Sequence, residues 1–397
     1  MTADFQPLKG IRVVELSHMI MGPSCGMFLA FLGAEVIKVE PPAGDKTRYL
    51  TGMGSPFFPL FNRSKKSVQL DTASEAGRAA LGKLLATADV LVDNFRDESL
   101  GRMGADPAEL RRLYPRLILA SHKGFLHGPY QDRTALDEVV QMMTGLAYMT
   151  GPSGRPLRVG SSANDIMAGA FGALSVACAI MERRETGKGR DIRIGLFENS
   201  LLLVAQHMVH YELEGVVPPP MPERDFSWPV YDIFSTADAK QIFVGAVTEG
   251  QWAILCDILS LPELKSDPRL QTRMEAIKAR SWTIPIVTEA IARRTAAELA
   301  PEFERHGIPY APIAKPSDMF QDPHVLRPGG LVTSKLPDGR SFRAPTLPIE
   351  VDGTAVPGGG DLAAVGAHTE EILGSLGMDP TAIAAARGGR KADAAAT

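Results

Sequence analysis

Asp165 has the setting in this sequence that most invites chemistry. It closes the run Gly160-Ser161-Ser162-Ala163-Asn164-Asp165 and precedes the small-residue stretch Ile166-Met167-Ala168-Gly169-Ala170. A carboxylate at a helix start can face a ligand, small neighbours let a substrate come close, and carboxylates serve as nucleophiles in covalent catalysis. The same position also suits an N-cap, because an Asp before a helix accepts backbone N–H bonds and needs no further reason to be there. The residues alone leave both roles open.

Cations collect where loops are predicted to follow strands: Lys38, Arg48, Arg63, Lys65, Lys66, Arg96, Arg102 and Lys123. Arg and Lys so placed suit a phosphate-bearing ligand, although each taken singly reads more readily as ordinary solvated charge. Arg155 and Arg158, just upstream of Asp165, offer a partner for a second carboxylate on a substrate. Surface charge in a Gly/Pro loop is the slightly better reading of both. His18 and His122 each follow a predicted strand, and with no companions at metal-ligand spacing they read as structural histidines. Cys25, in an apolar helix, reads as packing. The three cysteines, Cys25, Cys178 and Cys256, form no CxxC, which argues for a reducing compartment and against a structural metal. No GxGxxG follows a strand and no GxxxxGK[ST] occurs, so dinucleotide or P-loop nucleotide binding has no motif support.

The elements that must position these residues alternate in type. Ile11 to Leu16 reads as a strand, Ser24 to Leu32 as a helix and Glu35 to Val39 as a second strand. A helix from Ala73 to Ala88, a strand at Val90 to Val92, a short helix near Pro107 to Leu113 and a strand at Leu117 to Ala120 repeat the theme. A helix from Ile166 to Arg184, a strand from Asp191 to Leu196 and another long helix from Glu198 close the first half. The alternation predicts a parallel sheet covered by helices, with ligands beyond the C-terminal strand ends. A Pro-rich linker at Val217 to Pro222 then leads to a smaller α+β region, about Tyr231 to Ile313, with strands near 232–234 and 242–244 followed by helices. From Pro316 onward the chain reads as many turns, and Gly388 to Thr397 as a disordered tail.

Composition sets the outer limits. With 397 residues, two domains are expected. Apolar residues make up 45%, charged residues 22%, and the net charge is −4. That balance gives no reason to expect nucleic acid or an anionic membrane as partner. The N-terminus lacks a basic start followed by an apolar run, and no apolar stretch reaches the ~20 residues that span a bilayer. The longest one, Ile166 to Met181, reads as a buried core helix. Cytoplasm is the expected location.

Several blocks taken together resemble one family. Pro7-Leu8-Lys9-Gly10-Ile11-Arg12-Val13-Val14-Glu15-Leu16 resembles the opening of the class III CoA-transferases, the family of formyl-CoA:oxalate, carnitine and succinyl-CoA:glutarate CoA-transferases. Gly22-Pro23, Leu32 to Glu40, Asn62-Arg63-Ser64-Lys65-Lys66-Ser67, Asp93-Asn94-Phe95-Arg96, Arg102-Met103-Gly104 and Glu185-Thr186-Gly187-Lys188-Gly189 are similar to it in the first half. Gly307-Ile308-Pro309-Tyr310-Ala311-Pro312 and Gly366-Ala367-His368-Thr369 follow in the second. The resemblance covers nearly the whole chain, in order.

It implies an α/β subunit with a large Rossmann-like parallel-sheet domain built from both chain ends, residues 1–215 and 325–397. A smaller α+β domain would take 225–320, with linkers at 216–224 and 314–324, and two subunits would form an interlocked homodimer. It places the nucleophilic aspartate on Asp165 and CoA contacts on Met19, Ile20, Lys65, Asn94, Phe95, Arg102 and Lys123. CoA thioesters would be substrates, with no metal and no permanently bound cofactor. The implied reaction moves CoA between small carboxylic acids through an aspartyl-CoA thioester, from succinyl-CoA to a small mono- or dicarboxylate. Two departures matter. Glu223-Arg224-Asp225-Phe226-Ser227-Trp228 lacks the glycine run that closes over the intermediate in the oxalate enzymes, which counts against oxalate. The related α-methylacyl-CoA racemases carry a histidine where this chain has Leu136, which counts against racemisation. A racemase-like enzyme and a non-catalytic acyl-CoA binder stand as the alternatives.

Overall fold

In the computed structural model, which describes residues 4–224, 226–356 and 358–388, the apolar runs of the first half become the centre of a parallel sheet. β1 (Arg12–Leu16) leads through residues 17–20 into α1 (Met21–Phe31), and β2 (Glu35–Glu40) returns beside β1. β3 (Lys66–Gln69), α2 (Glu75–Leu85), β4 (Val90–Asp93), α3 (Asp97–Arg102), α4 (Pro107–Leu113) and β5 (Ile118–Lys123) follow. α5 (Asp137–Met143), α6 (Ala163–Thr186), β6 (Asp191–Gly195) and α7 (Leu196–Glu214) come next. The six strands lie in the order β3-β2-β1-β4-β5-β6, all parallel.

Successive side chains on a strand point to opposite faces, so each pair of neighbouring valines feeds two cores. Val13, Val36, Val90 and Val92 pack with Cys25 and Leu29 of α1 and Val176 of α6. Val14, Ile37 and Leu91 pack on the other face with Leu81 and Leu84 of α2, and with Ile372, Leu373 and Ile383 from near the chain's end. Residues up to Pro222 and from Pro323 onward therefore form one compact unit, and Glu223–Asp322 a second.

The second unit holds an antiparallel sheet of β7 (Val230–Ser235), β8 (Gln241–Ala246) and β9 (Tyr310–Pro312). Helices at Glu249–Ile258, Arg280–Ala292 and Ala296–His306 enclose its own core of Val230, Phe234, Val244, Trp252, Leu255 and Phe303.

The structure departs from the sequence expectations in three places. β3 was read as a cationic loop end, because Lys66-Ser67-Val68-Gln69 is short and polar at three of its four positions, Val68 being the one apolar side chain it buries. The stretch after Pro316 holds more than turns: Leu331–Lys335 pairs with Ser341–Pro345, Glu350–Val351 with Thr354–Ala355, and helices follow at Thr369–Ser375 and Pro380–Ala386. α6 begins at Ala163, three residues before the expected start. Of the expected disordered tail, Gly388 to Thr397, residues 389–397 lie outside the described residues, as does Asp225. Among the described residues α6 is the one helix long and apolar enough to cross a membrane. It buries Ala168, Gly169, Gly172 and Val176, and its apolar inner face packs in the first core.

Candidate active site

The strand order reverses between β1 and β4, and in such sheets ligands bind outside the carboxyl ends at that point. Here residues 17–20 and 94–96 meet. The His18 N–H donates to Asn94 Oδ1 (3.1 Å), the Asn94 amide donates back to the His18 carbonyl (2.7 Å), and the His18 ring lies against Phe95 with centroids 5.1 Å apart. His18 is thus an exposed wall of the crevice, where the sequence read it as structural. Met19 has φ +62° and donates its N–H to Thr47 Oγ1 (3.0 Å). A left-handed backbone at a non-glycine residue is strained, and it persists only where the surroundings over-determine it. Ile20 is buried beside Phe31 and Phe61.

Beneath this loop lies an internal charge network. Glu15, fully buried on β1, accepts from Lys65 (2.7 Å), Lys38 (3.3 Å) and Ser17 Oγ (2.9 Å). Lys38 also donates to the Ser17 carbonyl (2.7 Å) and pairs with Asp45 (3.0 Å). Arg48 grips Glu40 with both Nε (2.7 Å) and an amino group (2.6 Å), the forked geometry that a guanidinium and a carboxylate share. Arg63, also buried, donates to the Leu60 and Pro345 carbonyls, and burial pushes its guanidinium down to about 10.

Most of the expected cationic edge is therefore inside the protein, holding loops rather than facing a ligand. Lys65 is 5% exposed, with its ammonium on Glu15, Pro23 O and Asn62 Oδ1, and burial pushes it down to about 8. Lys123 binds Asp93 (3.2 Å), Asp97 (2.8 Å) and the Phe95 carbonyl (2.5 Å). Arg102 is exposed in the last turn of α3, donating to Ser99 Oγ (2.9 Å).

Two cavities flank Phe95. One of about 370 Å³ is lined by Leu16, His18, Val39, Leu70, Phe95 and Met103, with Lys46 exposed among its walls. The other, about 460 Å³, is polar and lined by Asn94, Asp97, Lys123, Arg133 and Arg193 among others. Asn94, Phe95 and Lys123 thus converge at the second cavity and His18 at the first. Arg102 stands one residue from the wall at Met103, and Lys65 lines neither of these two cavities.

Asp165 stands in the first turn of α6, next to α1: Ser24 Oγ lies 3.4 Å from its main-chain carbonyl. The cap of α6 is Ser162, not Asp165, and Ser162 makes no side-chain capping bond. The Asp165 carboxylate carries no hydrogen bond among the described residues, so the capping role weighed from the sequence is not the one it plays. Burial pushes its carboxyl up to about 7, nearby Asp137 adds to that, and Arg158 opposes it.

Asp137, at the start of α5, is itself buried and raised, chiefly by burial; Gln141 donates to it (3.2 Å) and Arg158 lies 3.6 Å away. Arg158 also faces Glu138 (3.6 Å), so its charge is directed to these carboxylates; Arg155 is exposed. The buried Asn164 lies against Asp137 and opposes the rise of its carboxyl, and the Asn164 carbonyl accepts from Asn199 (2.8 Å). Glu15, Lys46, Asp137, Asn164 and Asn199 escaped the sequence reading. Asp137 carried a faint signal as the neighbour of Leu136, while the rest become visible only in three dimensions. Leu136 is exposed and precedes α5.

The model of CoA-transferase family III matches residues 8–369. The chain belongs to that family. It is 30% identical to the succinate–glutarate CoA-transferase of Agrobacterium fabrum, over 93% of this chain and 96% of that one. It is likewise 30% identical to the succinyl-CoA–D-citramalate CoA-transferase of Chloroflexus aurantiacus, over 94% of each. A crystal structure of a CAIB/BAIF family protein from Brucella suis superposes with a TM-score of 0.84 at 30% identity, covering 94% of this chain and all of that one. The protein is an enzyme, a class III CoA-transferase, whose substrates are CoA thioesters and small carboxylic acids.

Proposed function

We propose that this CoA-transferase works through an aspartyl-CoA thioester on Asp165, with succinyl-CoA as donor and a small mono- or dicarboxylate as acceptor. The observation that carries the reading is a carboxylate without a hydrogen-bond partner among the described residues, half-buried at the start of α6 and adjoining α1, the helix that follows the crevice loop. Relatives whose names pair succinate or succinyl-CoA with glutarate or citramalate support the choice of donor.

The steps balance without a further reactant. Asp165 attacks the thioester carbonyl, the C–S bond breaks, and CoA leaves as thiolate from a mixed anhydride. The thiolate attacks the aspartyl carbonyl and expels the donor acid as carboxylate, leaving CoA on Asp165. The acceptor carboxylate then reverses the sequence. Covalent catalysis of this kind divides one hard exchange into steps of similar difficulty. A carboxylate with no donor on it keeps its electron pairs available, and partial desolvation raises its reactivity.

The apolar cavity beside Phe95 fits the nucleotide end of CoA, with Met19, Ile20 and Asn94 shaping the crevice and Lys46 and Arg102 at hand for phosphates. Lys123 then serves by holding residues 93–97 rather than as a bare phosphate contact. An interlocked homodimer suits the exposed apolar residues Leu202, Met208, Val209 and Leu213 of α7 and Leu174 and Met181 of α6. Apolar side chains exposed along two long helices are of the kind a partner subunit covers.

Asp165→Asn tests the reading, since it keeps the shape and removes the nucleophile. Transfer from succinyl-CoA to glutarate should vanish while acyl-CoA binding persists. Turnover near the wild-type rate in that variant would refute the reading.

A further inference from the structure

Lys65 occupies a place no ligand contact explains. Its three N–H groups are matched by Glu15 Oε2 (2.7 Å), Pro23 O (2.8 Å) and Asn62 Oδ1 (3.2 Å). Pro23 is in the first turn of α1, and the next residue, Ser24, donates to Met21 O (2.9 Å) and stands 3.4 Å from the Asp165 carbonyl. The line of contact thus runs from Glu15 of β1 through Lys65 to α1, and from α1 to the first turn of α6.

That line has no slack. A Cβ on Gly26 of α1 would stand 1.8 Å from Glu15 Oε2 and 3.1 Å from Lys65 Nζ, and one on Gly169 of α6 would stand 2.0 Å from Ser24 Oγ. Helix and ion pair touch through glycine on one side, and the two helices touch through glycine on the other. Glu15 Oε1 meanwhile takes Ser17 Oγ and Lys38, which holds the Ser17 carbonyl, so the same carboxylate also steadies the loop that carries Met19.

We propose that Lys65 and Glu15 are the positioning pair of this enzyme, fixing the Asp165 carboxylate relative to the crevice loop through α1. The inference rests on Asp165 as nucleophile and adds what aims it. Neither residue touches substrate. They act by geometry, and a misplacement of about 1 Å costs about a hundredfold in rate.

The experiment compares Lys65→Met with the double variant Glu15→Gln/Lys65→Met. Methionine keeps much of the volume but donates nothing to Pro23. The double variant also removes the unmatched negative charge, so it restores the charge balance of the network and not the hold on α1. Melting temperature, kcat, KM for succinyl-CoA and the rate of CoA thioester formation on Asp165 are measured in each. The double variant should recover much of the melting temperature lost in Lys65→Met. Its kcat and thioester formation should stay down by about tenfold or more, with KM within about threefold of wild type. If Lys65→Met does not fold, the double variant decides alone.

Recovery of kcat together with melting temperature would make the pair merely structural and overturn the inference. A raised KM at unchanged kcat would overturn it too, in favour of a ligand contact. Wild-type enzyme labelled on a residue other than Asp165 would defeat the nucleophile reading, and this inference with it. Label on Asp165 in wild type, formed at the same rate in the double variant, defeats the inference alone.

Discussion

Glu15 and Asp165 are both carboxylates on the large unit, each in contact with α1 or its neighbours, and their surroundings differ in kind. Glu15 has no exposure and three donors, two of them cationic. Asp165 is half-buried with no donor on its carboxylate among the described residues, next to a second acid, Asp137. A buried charge that is fully matched is part of the scaffold, and removing one member is costly. A carboxylate that is desolvated and left unmatched has its charged form destabilised, and this is the state a nucleophile needs. Matching, more than burial, separates the structural acid from the reactive one.

The largest effect expected from this contrast is on Glu15. Glu15→Ala strands Lys65 among buried groups, with Lys38 left to Asp45, and should destabilise the fold by about 3–5 kcal/mol, read as a shifted midpoint in urea unfolding. A loss below about 1 kcal/mol would erase the distinction. Gly26→Ala pushes a methyl into the same pair and should cost about 1–3 kcal/mol, with both charges still present.

Asp165→Asn should go the other way. The folded protein holds the Asp165 proton up to about pH 7, whereas the unfolded chain releases it near pH ~4. Wild type therefore loses stability relative to the Asn variant as pH rises between those limits. At pH ~8 the variant should be more stable by about 2 kcal/mol, roughly half the full linkage value because the group is partly exposed. Below pH ~4 the two should melt alike. Wild type remaining the more stable at pH ~8 would mean that the Asp165 carboxylate is matched after all.

Activity carries the same titration. Because the carboxylate form attacks, kcat/KM should rise with pH through about 7. Asp137→Asn removes a neighbouring negative charge and should move the midpoint down, while Arg158→Gln should move it up. Midpoints unmoved by both would detach the profile from Asp165. The smallest effect belongs to the crevice rim: Lys46→Ala and Arg102→Ala should each raise KM for succinyl-CoA about tenfold or less, with kcat kept.

Much of the scaffold was legible, because strands buried on both faces spell themselves in Val, Ile and Leu, and Gly33 and Gly187 mark helix ends where φ turns positive. β3 stayed hidden because Lys66 and Ser67 are polar residues on a strand at the edge of the sheet. At the site, Asp165, Asn94 and Phe95 were named from short blocks of sequence. Lys65 was named too, but its acceptors lie 50, 42 and 3 residues away in the chain, and nothing in one dimension shows that a lysine faces inward. Asp137 matters through proximity to Asp165 in space, which a spacing of 28 residues does not reveal. The cations show the same limit: their positions could be read, but whether each met an acid or a ligand could not.

The most direct test of Asp165 as nucleophile is to incubate the enzyme with succinyl-CoA and no acceptor, trap with hydroxylamine or borohydride, and map the modified peptide by mass. The hydroxamate or alcohol should sit on Asp165 in wild type and be missing in Asp165→Asn. Modification of any other residue, or an unmodified Asp165 in enzyme that turns over, would contradict the account.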